Sequence, residues 1–256
     1  MPAASSAAFY GRGVFTTLAI YNRKPFLLDK HLRRLGAHAA RINLDSTEIH
    51  NIEESLFDLI RANKIKSGRA RITLFDSSAS AIWNFPSEKK TSVLITSAER
   101  GVMKNDVRLT VSPFLIYSTS PLAGIKSCNY LENLLALENA KQGGFDEAAR
   151  LNEKGETVSA CLANLFWTKA EQIFTAPLAS GALDGTTRNL IFELAKNLNL
   201  KVAEIVFNID TLKTADEIFL TSSGIEICAV KNLDEKTYRN RITKKLNRAF
   251  AEFVNQ

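Results

Sequence analysis

Histidine, methionine and tryptophan are scarce in this chain, with three, two and two copies, and cysteine occurs only at Cys128, Cys161 and Cys228. An odd number of distant cysteines without CxxC spacing signals neither a disulfide framework nor a zinc site, and fits a reduced, cytoplasmic compartment. His31, His38 and His50 lack carboxylates at ligand spacing, so no metal site is expected. Only 6 Pro and 12 Gly occur, which excludes collagenous and low-complexity readings. No apolar run approaches the roughly 18 to 20 residues of a membrane span, and the first residues lack the charged and apolar regions of a signal peptide. No membrane association is expected. Gly11-Arg12-Gly13 is not a dinucleotide fingerprint, because no strand precedes it and the third glycine is missing. A Gly-x-Ser-x-Gly elbow is absent as well.

What is present is an ordinary globular balance, 45% hydrophobic and 23% charged, over 256 residues, enough for one large or two modest domains. Lys and Arg number 33 against 27 Asp and Glu, a net +6 spread without a dense basic tract. The one local bias, residues 238–248, is explained by a solvated helix face, so no nucleic-acid partner is expected. A basic balance also suits a small anionic substrate.

The pattern alternates strands and helices. Residues 13–21 (GVFTTLAIY) read as a β-branched strand ending in the turn Asn22-Arg23, and 25–28 can return as a second. Asp29 is an N-cap candidate for a helix carrying Leu32, Leu35, Ala39 and Ile42 on one face, and 47–63 reads as another helix. Strands are expected at 70–75, 91–96 and 107–111. Two prolines and several hydroxyls mark 113–122 as a linker between an N-terminal α+β domain, 1–112, and a C-terminal domain, 123–256. Beyond it, helix 129–142 ends at Gly143-Gly144. A hairpin of 147–151 and 157–167 turns at 153–156, and a strand at 173–175 follows. Helix 186–198, strand 201–207, short helix 209–214 and strand 216–222 complete a two-domain α/β (α+β) chain.

Three places could carry chemistry. Lys126 follows apolar residues just before a helix, where a desolvated lysine can act as nucleophile or Schiff-base former; a snorkelling surface lysine is the alternative. Gly185-Thr186-Thr187 opens a helix and offers backbone N–H groups and two hydroxyls to a phosphate, with plain capping as the alternative. Thr221-Ser222-Ser223-Gly224 is another hydroxyl-rich turn able to cradle an anion.

Taken in order, these stretches resemble the class IV aminotransferases, the pyridoxal-phosphate enzymes of fold type IV. The matching segments begin with Phe9-Tyr10-Gly11-Arg12-Gly13-Val14-Phe15-Thr16-Thr17, His31-Leu32-Arg33-Arg34-Leu35 and Ile125-Lys126-Ser127-Cys128-Asn129-Tyr130-Leu131. Ala163-Asn164-Leu165-Phe166-Trp167, Gly185-Thr186-Thr187-Arg188 and Ala215-Asp216-Glu217-Ile218-Phe219-Leu220-Thr221-Ser222 complete the series. The resemblance implies a pyridoxal 5'-phosphate enzyme, homodimeric, with its cofactor in the interdomain cleft. Lys126 is implied as the lysine that binds the cofactor covalently and then shuttles the substrate proton. Arg34 would grip the cofactor phosphate, Thr186 and Thr187 would form its helix-terminal cradle, and Ser223 would add a further contact.

The chain departs from the family's pattern at Arg12, at Thr16, where Glu is usual, and above all at Ser159. There, five positions before Asn164, the family places the Glu that meets the pyridine nitrogen. Serine can hydrogen-bond but cannot keep the ring protonated, which weakens the electron sink. An elimination whose product becomes aromatic depends less on that sink. The expectation is therefore an aminodeoxychorismate lyase-like enzyme that releases pyruvate and yields 4-aminobenzoate for folate biosynthesis, with Arg12 and Arg71 on the substrate carboxylates. The alternatives are an amino-acid aminotransferase, branched-chain or D-amino acid, and a non-catalytic family member.

Overall fold

The computed structural model describes residues 3–79, 89–101 and 104–255. Contacts divide it into two compact units, one of Met1–Val102 with Ile125–Tyr130, the other of Met103–Gly124 with Leu131–Gln256.

The first unit opens with a short helix α1 (Ser6–Tyr10), capped by the Ser5 side chain and ended by Gly11 at φ 63. Then come β1 (Gly13–Tyr21), β2 (Lys24–Pro25), α2 (Leu28–Arg41), a 3-10 turn at Thr47–Asn51, α3 (Ile52–Ala62), β3 (Gly68–Asp76) and β4 (Thr91–Glu99). Together the strands form an antiparallel sheet in the order β2-β1-β3-β4. Val14, Leu18 and Ile20 of β1 are fully buried with Leu35 of α2 and Leu56 of α3. Asp29 is not the cap expected: Leu27, with φ 54, precedes the helix, and Asp29 lies in the first turn, where its charge suits the helix dipole.

The second unit holds β5 (Asp106–Val111), α4 (Leu131–Gln142), β6 (Glu147–Leu151), β7 (Thr157–Ala160), β8 (Asn164–Lys169), β9 (Gln172–Thr175), α5 (Thr186–Asn197), β10 (Val202–Glu204), α6 (Ile209–Thr214), β11 (Glu217–Ser222), β12 (Glu226–Leu233), β13 (Lys236–Thr237) and α7 (Arg241–Val254). Its mixed sheet runs β10-β9-β8-β11-β12-β5-β6-β7, with β13 on β12. The parallel pairs are β10 with β9, β12 with β5 and β5 with β6. Leu165, Ile218 and Leu220 fill the core of this sheet.

Three differences from the sequence pattern have physical causes. The single strand expected at 157–167 is two strands, because the chain breaks at 161–163 and the buried Glu147 carboxylate accepts the Cys161 and Leu162 N–H groups, both at 2.9 Å. Ser159 and Asn164 therefore lie on different strands, and strand alternation does not relate them. Residues 106–111, expected in the N-terminal domain, ladder onto β12 and β6 in the second sheet. Ile125–Tyr130, expected with the C-terminal domain, belongs to the first unit, because Val14 bridges Ser127 and the Cys128 N–H donates to the Gly13 carbonyl at 2.8 Å.

Glu217 ties α7 to the sheet. Its buried carboxylate accepts the Ile242 and Thr243 N–H groups at 2.7 and 2.9 Å and the Thr243 hydroxyl at 2.9 Å, and so caps a helix whose Asn240 makes no cap bond of its own.

Candidate active site

In the first unit, polar side chains from β1 and α2 gather around Lys126. Thr16 is fully buried in β1; Arg34 Nη2 donates to its Oγ1 at 3.0 Å, and His31 Nδ1 lies 2.6 Å from the same oxygen. Burial first, then the charges of Arg34 and Lys126, push the His31 pKa down to about 3, so the ring is neutral at physiological pH. The Thr16 hydroxyl thereby helps to orient the Arg34 guanidinium.

The backbone of Lys126 is held on both sides of its Cα, one bond in each of the two peptide groups that flank it. Its carbonyl accepts the Phe15 N–H at 2.9 Å, and its N–H donates to His38 Nδ1 at 3.2 Å. The amine lies 4.6 Å from the Phe15 ring centroid and 4.9 Å from that of Tyr130, with the Tyr130 hydroxyl at 3.5 Å. Phe15 and Tyr130 meet edge to face at 5.2 Å. The ring faces attract a cation, but burial strips water from the amine and favours its uncharged form. Burial, followed by the Arg34 and Arg71 charges, lowers the Lys126 pKa to about 7. A large share of the lysine is then a free nucleophile at neutral pH, unlike a surface lysine led out to water.

Arg71 places its guanidinium 3.7 Å from the Phe15 ring centroid and donates through Nε to Thr73 Oγ1 at 3.2 Å. It also hydrogen-bonds the Cys128 thiol, whose pKa is raised by burial despite that contact. Arg12 is directed elsewhere, with Nη1 3.8 Å from the carboxylate of the fully buried Asp76.

The second unit contains the hydroxyl-rich turns. Gly185 precedes α5 and offers no side-chain cap, so the first-turn N–H groups, which have no partners within the helix, point out of its N-terminus. A Cβ at Gly185 would stand 2.1 Å from Asn164 Oδ1, so glycine is required there by contact. Asn164 Nδ2 donates to the Leu183 carbonyl at 2.8 Å and fixes that turn, a structural task. Thr186 and Thr187 are both buried at the start of α5. Across the ladder from Asn164 stands Thr221, whose buried hydroxyl has no hydrogen-bond partner among the described residues. A buried orphan hydroxyl beside a helix N-terminus fits an incoming anionic oxygen, and the donor set suits a phosphate. Ser223 lies in the turn after β11, where the Gly224 N–H donates to Ser222 Oγ at 3.2 Å.

Ser159 is half-buried on β7, directly opposite Arg150 of β6. Arg150 is 1% exposed, and donates to the Phe114 and Leu115 carbonyls at 3.2 and 2.9 Å and to Glu132 at 2.9 Å. Position 159 therefore carries no charge, and a cation is its cross-strand neighbour.

The structure thus brings Lys126, Arg34 and Arg71 into one electrostatic neighbourhood and gathers Thr186, Thr187 and Asn164 at the α5 turn. Sequence reasoning missed His38; it named Thr221 in the hydroxyl-rich turn after 216–222, but not its place opposite Asn164. His38 meets Lys126 across 88 positions, and no local spacing signals such a contact.

Residues 13–233 match the family described as Amino-transferase class IV. The chain is 32% identical over 234 residues to an aminodeoxychorismate lyase of Bacillus subtilis, covering 90% of this chain and 80% of that one. It is 30% identical over 263 residues to a branched-chain-amino-acid aminotransferase of Escherichia coli, covering 96% and 85%. A crystal structure of the Escherichia coli branched-chain aminotransferase superposes with a TM-score of 0.93 at 28% identity, over 99% of this chain and 89% of that one. A lysine poised for a carbonyl carbon and a helix terminus suited to a phosphate fit the cofactor of such enzymes. The chain belongs to the class IV aminotransferases, pyridoxal-phosphate-dependent enzymes of fold type IV.

Proposed function

We propose that this enzyme is a lyase of the aminodeoxychorismate type, which releases pyruvate from an amino-chorismate and leaves 4-aminobenzoate. Bound pyridoxal phosphate supplies an electron-withdrawing ring that stabilises negative charge next to the substrate nitrogen. Lys126 would hold the cofactor, and its free amine would take the proton from the substrate ring carbon bearing nitrogen and return one to the departing enol. A lysine whose pKa lies near 7 serves both transfers. Arg34 grips the phosphate through charge-assisted bonds, with Thr186, Thr187 and the α5 N-terminus as its cradle and Ser223 as a further contact. Arg71 takes a substrate carboxylate. Arg12, which already faces Asp76, contributes less.

The choice of lyase rests on Ser159. A hydroxyl there, opposite the Arg150 cation, gives the pyridine nitrogen no reason to hold a proton. A weak electron sink favours a reaction driven by aromatisation over one that lives on a long-lasting carbanion. The similarity to the Bacillus subtilis lyase supports the same reading. An amino-acid aminotransferase is the second reading, supported by the similarity to the Escherichia coli branched-chain enzyme. Incubating the holoenzyme with amino-chorismate, and separately with branched-chain and D-amino acids plus an α-keto acid, decides between them. Pyruvate and 4-aminobenzoate are expected from the first; amino-group transfer without pyruvate release would overturn the lyase.

Two further readings accompany it. Leu131, Leu134 and Leu135 are 66, 42 and 44% exposed on one side of α4, an apolar stripe suited to a homodimer. Cys128, Cys161 and Cys228 are all free thiols, as a reducing cytoplasm would keep them. Among the described residues no helix is long and apolar enough to cross a membrane.

A further inference from the structure

His31, Arg34 and His38 lie at positions i, i+3 and i+7 of α2, which puts them on one helical face. The first two meet at Thr16. The third goes to the backbone of Lys126. His38 is 6% exposed, and a ring nitrogen that accepts an N–H carries no proton, so a neutral His38 holds its proton on Nε2.

The direction of that bond matters because of how the segment is seated. Lys126 is adjacent to Ser127, which forms the bridge to Val14, and its carbonyl is taken by Phe15 of β1. Its N–H points instead to α2. The lysine Cα is thus fixed between a strand and a helix by two bonds of opposite sense. A residue held that way starts its side chain from a fixed Cα, and here the amine stands beside the rings of Phe15 and Tyr130. A site that must present an amine to a carbonyl carbon loses much when the attachment drifts by an ångström.

We infer that His38 is a positioning residue for Lys126: its Nδ1 holds the lysine's backbone N–H and thereby sets where the amine stands. The inference rests on the reading of Lys126 as the covalent anchor of the cofactor. It makes a chemical demand on position 38 that bulk does not meet, namely an acceptor atom on Cγ. Asparagine carries one, since its Oδ1 occupies the place of Nδ1. Glutamine puts its oxygen one atom farther out, in the place of Nε2.

The test uses the full chain with His38→Ala, His38→Asn and His38→Gln. In the cofactor-free protein, amide hydrogen exchange at Lys126 should accelerate by about tenfold or more in the alanine and glutamine variants, the effect of losing one ordinary hydrogen bond, and return toward wild type in the asparagine variant. Formation of the covalent link with added pyridoxal phosphate, followed by its near-visible absorbance, should slow in the same two variants and recover in the third. Thermal midpoints serve as the control. Equal behaviour of asparagine and glutamine overturns the proposal, as does unchanged exchange in the alanine variant. Exchange that responds while link formation stays at wild-type rate in all three also overturns it, because the contact then holds the backbone without positioning the amine. Should the alanine variant fail to fold, the asparagine and glutamine pair decides alone. Failure of the underlying reading looks different: Lys126→Ala would keep the absorbance whatever His38 does.

Discussion

Arg34 and His31, one helical turn apart on α2, converge on a single hydroxyl oxygen, that of Thr16, at 3.0 and 2.6 Å. The pair goes with a neutral imidazole, because burial and the adjacent Arg34 charge both oppose a second cation at that hydroxyl.

Acid should therefore attack this unit first. The His31 pKa falls from 6.5 to about 3 on folding, mainly through burial, so the unfolded chain binds the proton before the folded one does. Stability is complete above about pH 6.5 and declines as the pH drops toward 3. His31→Asn cannot ionise, and its urea-unfolding free energy should fall less steeply between those limits. An identical pH slope in the variant would show that other groups govern the acid limb.

Lys126 has the same sign of shift at a higher pH. Its folded pKa of about 7 lies below the usual 10.5, so the unfolded chain again holds more protons between the two, and stability rises with pH across that window. Below pH 7 the buried charge is a burden. Lys126→Met should accordingly raise the stability of the cofactor-free protein at pH 6 by about 1 to 3 kcal/mol, a value discounted for the lysine's partial exposure. The same variant should lose the near-visible absorbance and turnover by several orders of magnitude. A borohydride-reducible yellow species persisting in Lys126→Met would remove Lys126 from its role.

Arg34→Ala should weaken cofactor affinity by about 2 to 4 kcal/mol, the scale for a charged partner lost from a partly buried anion site. Because the Arg34 charge also depresses Lys126, the pH at which Lys126 reacts with an amine-acylating reagent should move upward in the cofactor-free variant. Cofactor release on dialysis and the labelling profile check the two halves separately. Unchanged release would place the phosphate elsewhere.

Ser159→Glu tests the electron-sink reasoning. A carboxylate at 159 should protonate the pyridine nitrogen and speed conversion of added amino acid and cofactor to keto acid and pyridoxamine phosphate, relative to elimination. The cross-strand Arg150 would face the new charge and limit the cost of burying it. A variant that changes only in thermal midpoint would mean that position 159 does not touch the ring.

Much of this was legible from residue spacing because it is local. The apolar face of α2, the β-branched run of β1 and the Gly185-Thr186-Thr187 turn each signal themselves within a dozen positions. The strand Glu226–Leu233 escaped because its ladder with β5 shifts register between Val230 and Asn232, which interrupts the period of two. The break at 161–163 escaped because its cause, Glu147, stands on another strand. Within the site, the family pattern pointed to Lys126 and Arg34, but Thr16 and His38 acquire their roles only through contacts 15 to 88 positions away.

The six residues Ile125–Tyr130 are an excursion: the polypeptide leaves the second unit, docks against β1 and α2, and returns. Severing the chain at any single point cannot yield two self-contained halves. A fragment ending at residue 112 would leave the Phe15 N–H, the Gly13 carbonyl and His38 Nδ1 without the peptide groups that meet them, and its complement would carry the reactive lysine on an unanchored loop. The seat of the reactive amine thus belongs to the first unit alone, yet exists only in an unbroken chain, because six of that unit's residues are reached by way of the second.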